Sequence, residues 1–207
     1  MLKKLTILPI IFFASFSTIT SFSYAKDTEE NTRKEDKKEI KIAVIDTRKV
    51  NEQAKVSKDL TKKISNKQVE LQKKLSEKAN EIENNFKKLE SKRSILSAEE
   101  YQKQRQRLET DFQKLQMDGA FYSKVHEEAT ISAISKVQEN IKKATTKVVT
   151  SNKTKYDFVM SADQTFYINN DKLDDITDKV IKELDKILET IDYNSLYKQA
   201  EKKIKSN

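Results

Sequence analysis

Few residues in this chain could carry out chemistry. The one histidine, His126, stands beside Glu127 and Glu128, which makes general acid–base work the reaction class to consider. There is no second histidine and no cysteine to act with it, and no Ser-His-Asp constellation can be assembled around it. The single glycine, Gly119, excludes a glycine-rich phosphate loop. His126 is therefore expected to be a solvated helical residue, and no catalytic, metal-ligating or cofactor-binding residue is assigned.

Binding is better supplied. Between residues 87 and 107 stand seven basic residues (Lys87, Lys88, Lys92, Arg93, Lys103, Arg105, Arg107) and only three acids (Glu90, Glu99, Glu100), a local excess of +4. Such a cluster suits an acidic polypeptide or an anionic lipid surface, or else simply solubilises an exposed end. Aromatic residues accompany it. Phe86, Phe112 and Tyr122 fall at seam spacing and are expected to pack inside the arm. Phe121 is turned about 100° from Tyr122 on a helix, and Tyr101 lies near the basic cluster. Phe121, Tyr101, Lys92, Arg93, Lys103, Arg105 and Arg107 are the candidate contact residues.

These residues are positioned by one stretch, 52–151, which has no proline and is rich in Lys, Glu, Gln and Leu. As one helix it would be about 150 Å long. Leu71, Leu75, Ala79, Ile82, Phe86 and Leu89 follow the 4, 4, 3, 4, 3 spacing of a two-helix seam, extended by Ile64 and Leu96. Leu108, Phe112, Leu115, Gly119, Tyr122, Val125, Ala129 and Ala133 repeat the pattern. Between the two runs, Ser97 followed by Glu100 has the form of a capping box, which would start a second helix at Ala98. Stripes of matched length on either side of 91–97 favour an antiparallel hairpin arm. The competing arrangement is an uninterrupted rod that dimerises along its length.

Strand-like runs flank the arm. Ile40, Ile42, Val44 and Ile45 read as a first strand, residues 156–160 as a second and 165–168 as a third, the last two close enough to pair antiparallel. Asp174 and Asp175 are expected to cap a helix from Ile176 to Leu188, with Ile176, Val180, Leu184 and Ile187 on one face. The fold class is mostly α with a small β body, the hairpin arm being inserted between strands of a small sheet. Residues 40–51 and 152–188 make the body, and 189–207 form a helical or disordered tail. Three short strands and a helix give a small core with unpaired edges, which favours a homo-oligomer.

Composition agrees with an arm rather than a globule. The hydrophobic fraction, 36%, is low and the charged fraction, 36%, is high. Much of the net charge of +8 is interspersed with acids and belongs to solvated helix faces. Residues 1–25 read as an export signal: Lys3 and Lys4, an apolar stretch containing Pro9, then Ser23-Tyr24-Ala25 for cleavage near Ala25. Residues 26–39 contain no apolar side chain and are expected to be a disordered charged linker. Export argues against nucleic acid as a partner.

In its order of parts the chain resembles the Skp (OmpH-like) periplasmic chaperones. The resemblance lies in Lys41-Ile42-Ala43-Val44-Ile45-Asp46, in the charged hairpin with Phe112-Gln113, in Tyr156-Asp157-Phe158-Val159, in Tyr167, and in Asp175-Ile176-Thr177 before Val180. It spans 40–188. It implies a homotrimer with a shared β-barrel, whose projecting arms hold unfolded outer-membrane β-barrel proteins without ATP. Anionic lipid or lipopolysaccharide is a further partner to consider. The linker 26–39 and the tail 189–207 depart from the family pattern, and neither is expected to touch the arm. An exported adaptor coiled coil bridging envelope partners is the alternative function.

Overall fold

A computed structural model describes residues 40–151, 156–164 and 173–206. The export segment, the linker and the expected strand at 165–168 lie outside them. The elements run β1 (Ile42–Ile45), α1 (Thr47–Gln53), α2 (Lys55–Ser91), α3 (Ala98–Ser151), β2 (Phe158–Ser161), a 3₁₀ turn (Ala162–Gln164), β3 (Asp174–Asp175), α4 (Thr177–Ile187) and α5 (Tyr193–Lys205).

The arm is a hairpin. Helix α2 ends at the Ser91–Ser97 turn, and the Ser97 Oγ accepts from the Glu100 N–H at 3.2 Å, which starts α3. The Glu100 carboxylate accepts from the Gln104 side chain at 2.7 Å. It therefore serves the helix surface rather than the return half of a capping box. The outgoing limb is broken at Ala54, whose ψ of 139° is extended. Alanine offers no capping oxygen, and the cap comes instead from outside the limb: the Lys55 N–H donates to Asp185 Oδ1 of α4 at 2.8 Å. A helix start without a cap of its own is thus satisfied by tertiary contact.

The strands differ from expectation. β1 is central, in the order β2-β1-β3, and both neighbours run parallel to it. Ile42 faces Phe158 and Ala43 faces Asp174. The segment expected as the antiparallel partner of residues 156–160 lies outside the described residues, and the pairing seen for β2 is the parallel one to β1. Limb lengths explain the direction. α3 has 54 residues against 37 in α2 and 7 in α1. The return limb overshoots by about ten residues, roughly 15 Å. That is about the length of a four-residue strand. The chain is carried back past β1 and re-enters the sheet in the same direction.

Asp174 and Asp175, expected as helix caps, form β3 instead. Asp175 keeps part of the expected role, since its Oδ1 accepts from the Thr177 N–H at 2.8 Å. Thr177, fully buried, accepts through Oγ1 from the Asp46 N–H at 2.9 Å, and Asp46 in turn caps α1 through the Lys49 N–H. The two strand-to-helix corners are thereby tied together beneath the arm.

One continuous core joins Ala43 and Ile45 of the sheet, Val50, Ile176, Val180 and Leu184, and then climbs between α2 and α3 as far as Leu71 and Val125. Above that level the facing residues Leu75, Ile82, Phe86, Leu108 and Leu115 are only half-buried. Burial returns at the tip with Leu89 and Tyr101.

Candidate contact surface of the arm

Helix α5 was not expected on the arm, yet it packs along its lower half. Tyr193, Leu196, Tyr197 and Ala200 are buried. The Tyr193 hydroxyl lies 2.9 Å from His126 Nδ1 and 3.0 Å from Thr130 Oγ1. His126 is accordingly a half-buried partner of a core tyrosine rather than a solvated helical residue. Burial, with the Lys67 ammonium as the smaller contribution, holds its pKa below the ordinary histidine value. Lys67 Nζ sits 4.7 Å from the Tyr197 ring centre, and burial pushes that phenol up to about 12. On the α2 side, Lys63 donates to Thr190 Oγ1 and to the Ile191 carbonyl at 2.6 and 2.9 Å.

This helix changes the position of Phe121. The ring is half-buried, edge-on to Tyr122 at 5.7 Å, with Lys205 Nζ of α5 5.6 Å from its centre. It also lies 20 residues, about 30 Å of helix, from Tyr101, so the two aromatic candidates do not share a site.

The tip gathers most of the others. Tyr101 is 8% exposed; its hydroxyl donates to the Glu90 carboxylate, and the Arg93 guanidinium lies 5.6 Å from its ring centre. The hydrogen bond to Glu90, helped by burial, raises the Tyr101 pKa. Tyr101 thus holds the turn closed while Arg93 covers it. Arg105 is engaged with Glu109 at 2.9 Å. Lys92 and Arg107 line one groove with Lys88, and Lys103 is exposed. At the apex, Ile95 is 79% exposed among these cations.

The structure adds a surface that sequence reasoning placed in the seam. Between α2 and α3, below the tip, Ala79, Ile82, Phe86 and Phe112 line an open groove of 580 Å³ rimmed by Glu83, Glu109 and Gln113. Phe112, expected to be packed, is 48% exposed, and Phe86 is half-buried. Ala79 fills too little of the seam to close it, so the aromatic rings remain accessible. The signal in the sequence was an alanine at a stripe position beside two phenylalanines. Such a groove, apolar at its floor and polar at its rim, can take apolar side chains from an extended segment without demanding one sequence.

A family model described as "Outer membrane protein (OmpH-like)" matches residues 41–184. Among solved structures, one described as an outer membrane chaperone (OmpH-like) from Caulobacter crescentus CB15 is similar in fold. Its TM-score is 0.68 at 18% identity, over 73% of this chain and 88% of that one. No curated protein matches.

Proposed function

Because this chain belongs to the OmpH-like outer membrane protein family, we propose that it is an ATP-independent holdase of the periplasm, which keeps unfolded outer-membrane β-barrel proteins from aggregating. The observation that carries this reading is the accessible apolar groove of Ile82, Phe86 and Phe112 on the arm. A binder of many unfolded chains needs dispersed apolar contact with weak geometric demands, and a half-open aromatic seam offers that. Export with cleavage near Ala25 would deliver the chain to that compartment.

The proposal includes a homotrimer sharing one barrel. Support comes from β2, where Phe158 is 61% exposed, Met160 43% and Val159 37%, beside an exposed Ile40. Apolar side chains on both faces of so short a strand suit cover by another copy.

The test is to dilute an unfolded outer-membrane β-barrel protein from urea into the purified mature chain and follow light scattering. Suppression without nucleotide is expected. An adaptor that bridges folded envelope partners would leave aggregation unchanged, and that result would overturn the holdase reading.

The tip is proposed to add electrostatic capture. Replacing Lys92, Lys103 and Arg107 with glutamate spares Arg93 and Arg105, which are engaged with Tyr101 and Glu109. Exposed charges at such sites are worth a few tenths to about 1 kcal/mol each, so client affinity is expected to fall about tenfold at low ionic strength. The difference should fade as salt shortens the Debye length. Equal affinities for variant and parent across a salt series remove the tip from client capture.

A further inference from the structure

The arm has two mechanically different halves, and α5 marks the boundary. Below it, three helices share the continuous core, which climbs through Val125 and Leu71 and no further. Helix α5 grips both limbs of the hairpin. On α2, Lys67 lies over the Tyr197 ring and Lys63 is held by Thr190 and Ile191 just ahead of the helix, and on α3 Tyr193 bonds to His126 and Thr130. Lys203 pairs with Glu128, and Lys205 reaches the Phe121 ring. The family match ends at residue 184, so α5 lies beyond it.

Two residues above Phe121 stands Gly119, the only glycine of the chain. Its backbone has no positive φ, and a Cβ built there would meet Leu75 Cδ1 at 3.9 Å, an ordinary contact. Neither backbone conformation nor packing requires glycine at this position. What glycine does supply inside a helix is a locally weaker segment. It falls where the third helix and the continuous core both end. From there to the tip the limbs are joined by half-buried side chains and by surface pairs such as Lys78–Asp118.

We infer that α5 is a splint. It stiffens the lower arm and confines bending to the level of Gly119 and Leu75, so that the half carrying the groove and the basic tip swings as a unit.

Amide hydrogen exchange of the full mature chain tests this without any client, so its outcome is separate from that of the holding function. Amides of 56–71 and 121–137 are expected to exchange at least tenfold more slowly than those of 104–118. Ending the chain after Leu188 should speed exchange in 56–71 and 121–137 by tenfold or more and leave 104–118 unchanged. Equal protection above and below Gly119 in the full chain overturns the splint, as does faster exchange along the whole arm after truncation. A second measurement covers a truncated chain that fails to fold. The absence of cysteine lets Gln102→Cys and Ser135→Cys, exposed on α3 and about 50 Å apart along it, carry a pair of spin labels across Gly119. With labelled chains diluted into unlabelled ones, Gly119→Ala should narrow the distance distribution. An unchanged width overturns Gly119 as the bending point.

Discussion

Replacing Phe86 and Phe112 together with serine is expected to weaken the binding of an unfolded outer-membrane β-barrel protein by about 10- to 100-fold. The estimate follows from contact area. Covering a phenylalanine side chain that was open to water is worth about 1.5–3 kcal/mol. Phe112 is half exposed and Phe86 half-buried in the free arm, so each has roughly half of that left to gain from a client. Together they should contribute about 1.5–3 kcal/mol, at about 1.4 kcal/mol per tenfold in affinity. The cost to folding should be small, because neither ring belongs to the continuous core. The chain has no tryptophan, so client tryptophan fluorescence reports binding without background. Val69→Ser, an exposed apolar change on the lower arm, is the control for loss of surface hydrophobicity. If the double variant binds within twofold of the parent, the contact surface lies elsewhere.

Leu184→Ala is expected to be the most damaging single truncation of the body. Leu184 is fully buried on α4 and shares its cluster with Val180, Ile176, Val148 and Ile45. Truncating a leucine at such a site costs about 2–5 kcal/mol in lost transfer energy and residual cavity. That is a large share of the 5–15 kcal/mol typical of whole domains. The damage should spread, because α4 also carries Asp185, which caps α2, and Thr177, which anchors the first strand-to-helix corner. A urea titration followed by circular dichroism, at fixed protomer concentration, measures it. Leu75→Ala, in the half-buried upper seam, should cost clearly less. Equal losses at the two sites would mean that the upper arm is as tightly packed as the body.

The arm was legible in the sequence because its signals are local. The 4, 4, 3, 4, 3 spacing from Leu71 to Leu89 and the Ser97 cap are each contained within a few turns, and both limbs form as read. Ile42, Val44 and Ile45 likewise announce β1. What escaped depends on distance or length. The break at Ala54 carries no glycine or proline, and its cap comes from Asp185, 130 positions away. The direction of β2 rests on a comparison between whole limbs. The docking of α5 rests on Tyr193, Leu196, Tyr197 and Ala200, a face built half of tyrosines, which reads weakly as an apolar stripe. For the contact residues, the spacing placed Tyr101 and the cations on the tip but could not show that Tyr101 is its latch. Nor could it show that Ala79 leaves the seam open beside Phe86 and Phe112.

The overshoot of α3 past the outgoing limb has an evolutionary side. The sheet registers only the difference between the limbs, not their absolute length. Seven residues added to each limb would lengthen the arm by about 10 Å and keep the seam in phase, with β2 still meeting β1 as before. The same seven added to one limb alone would displace the strand by more than half its length. Reach can therefore drift among relatives by paired insertions near the tip while the body stays unchanged, and unpaired ones should be purged.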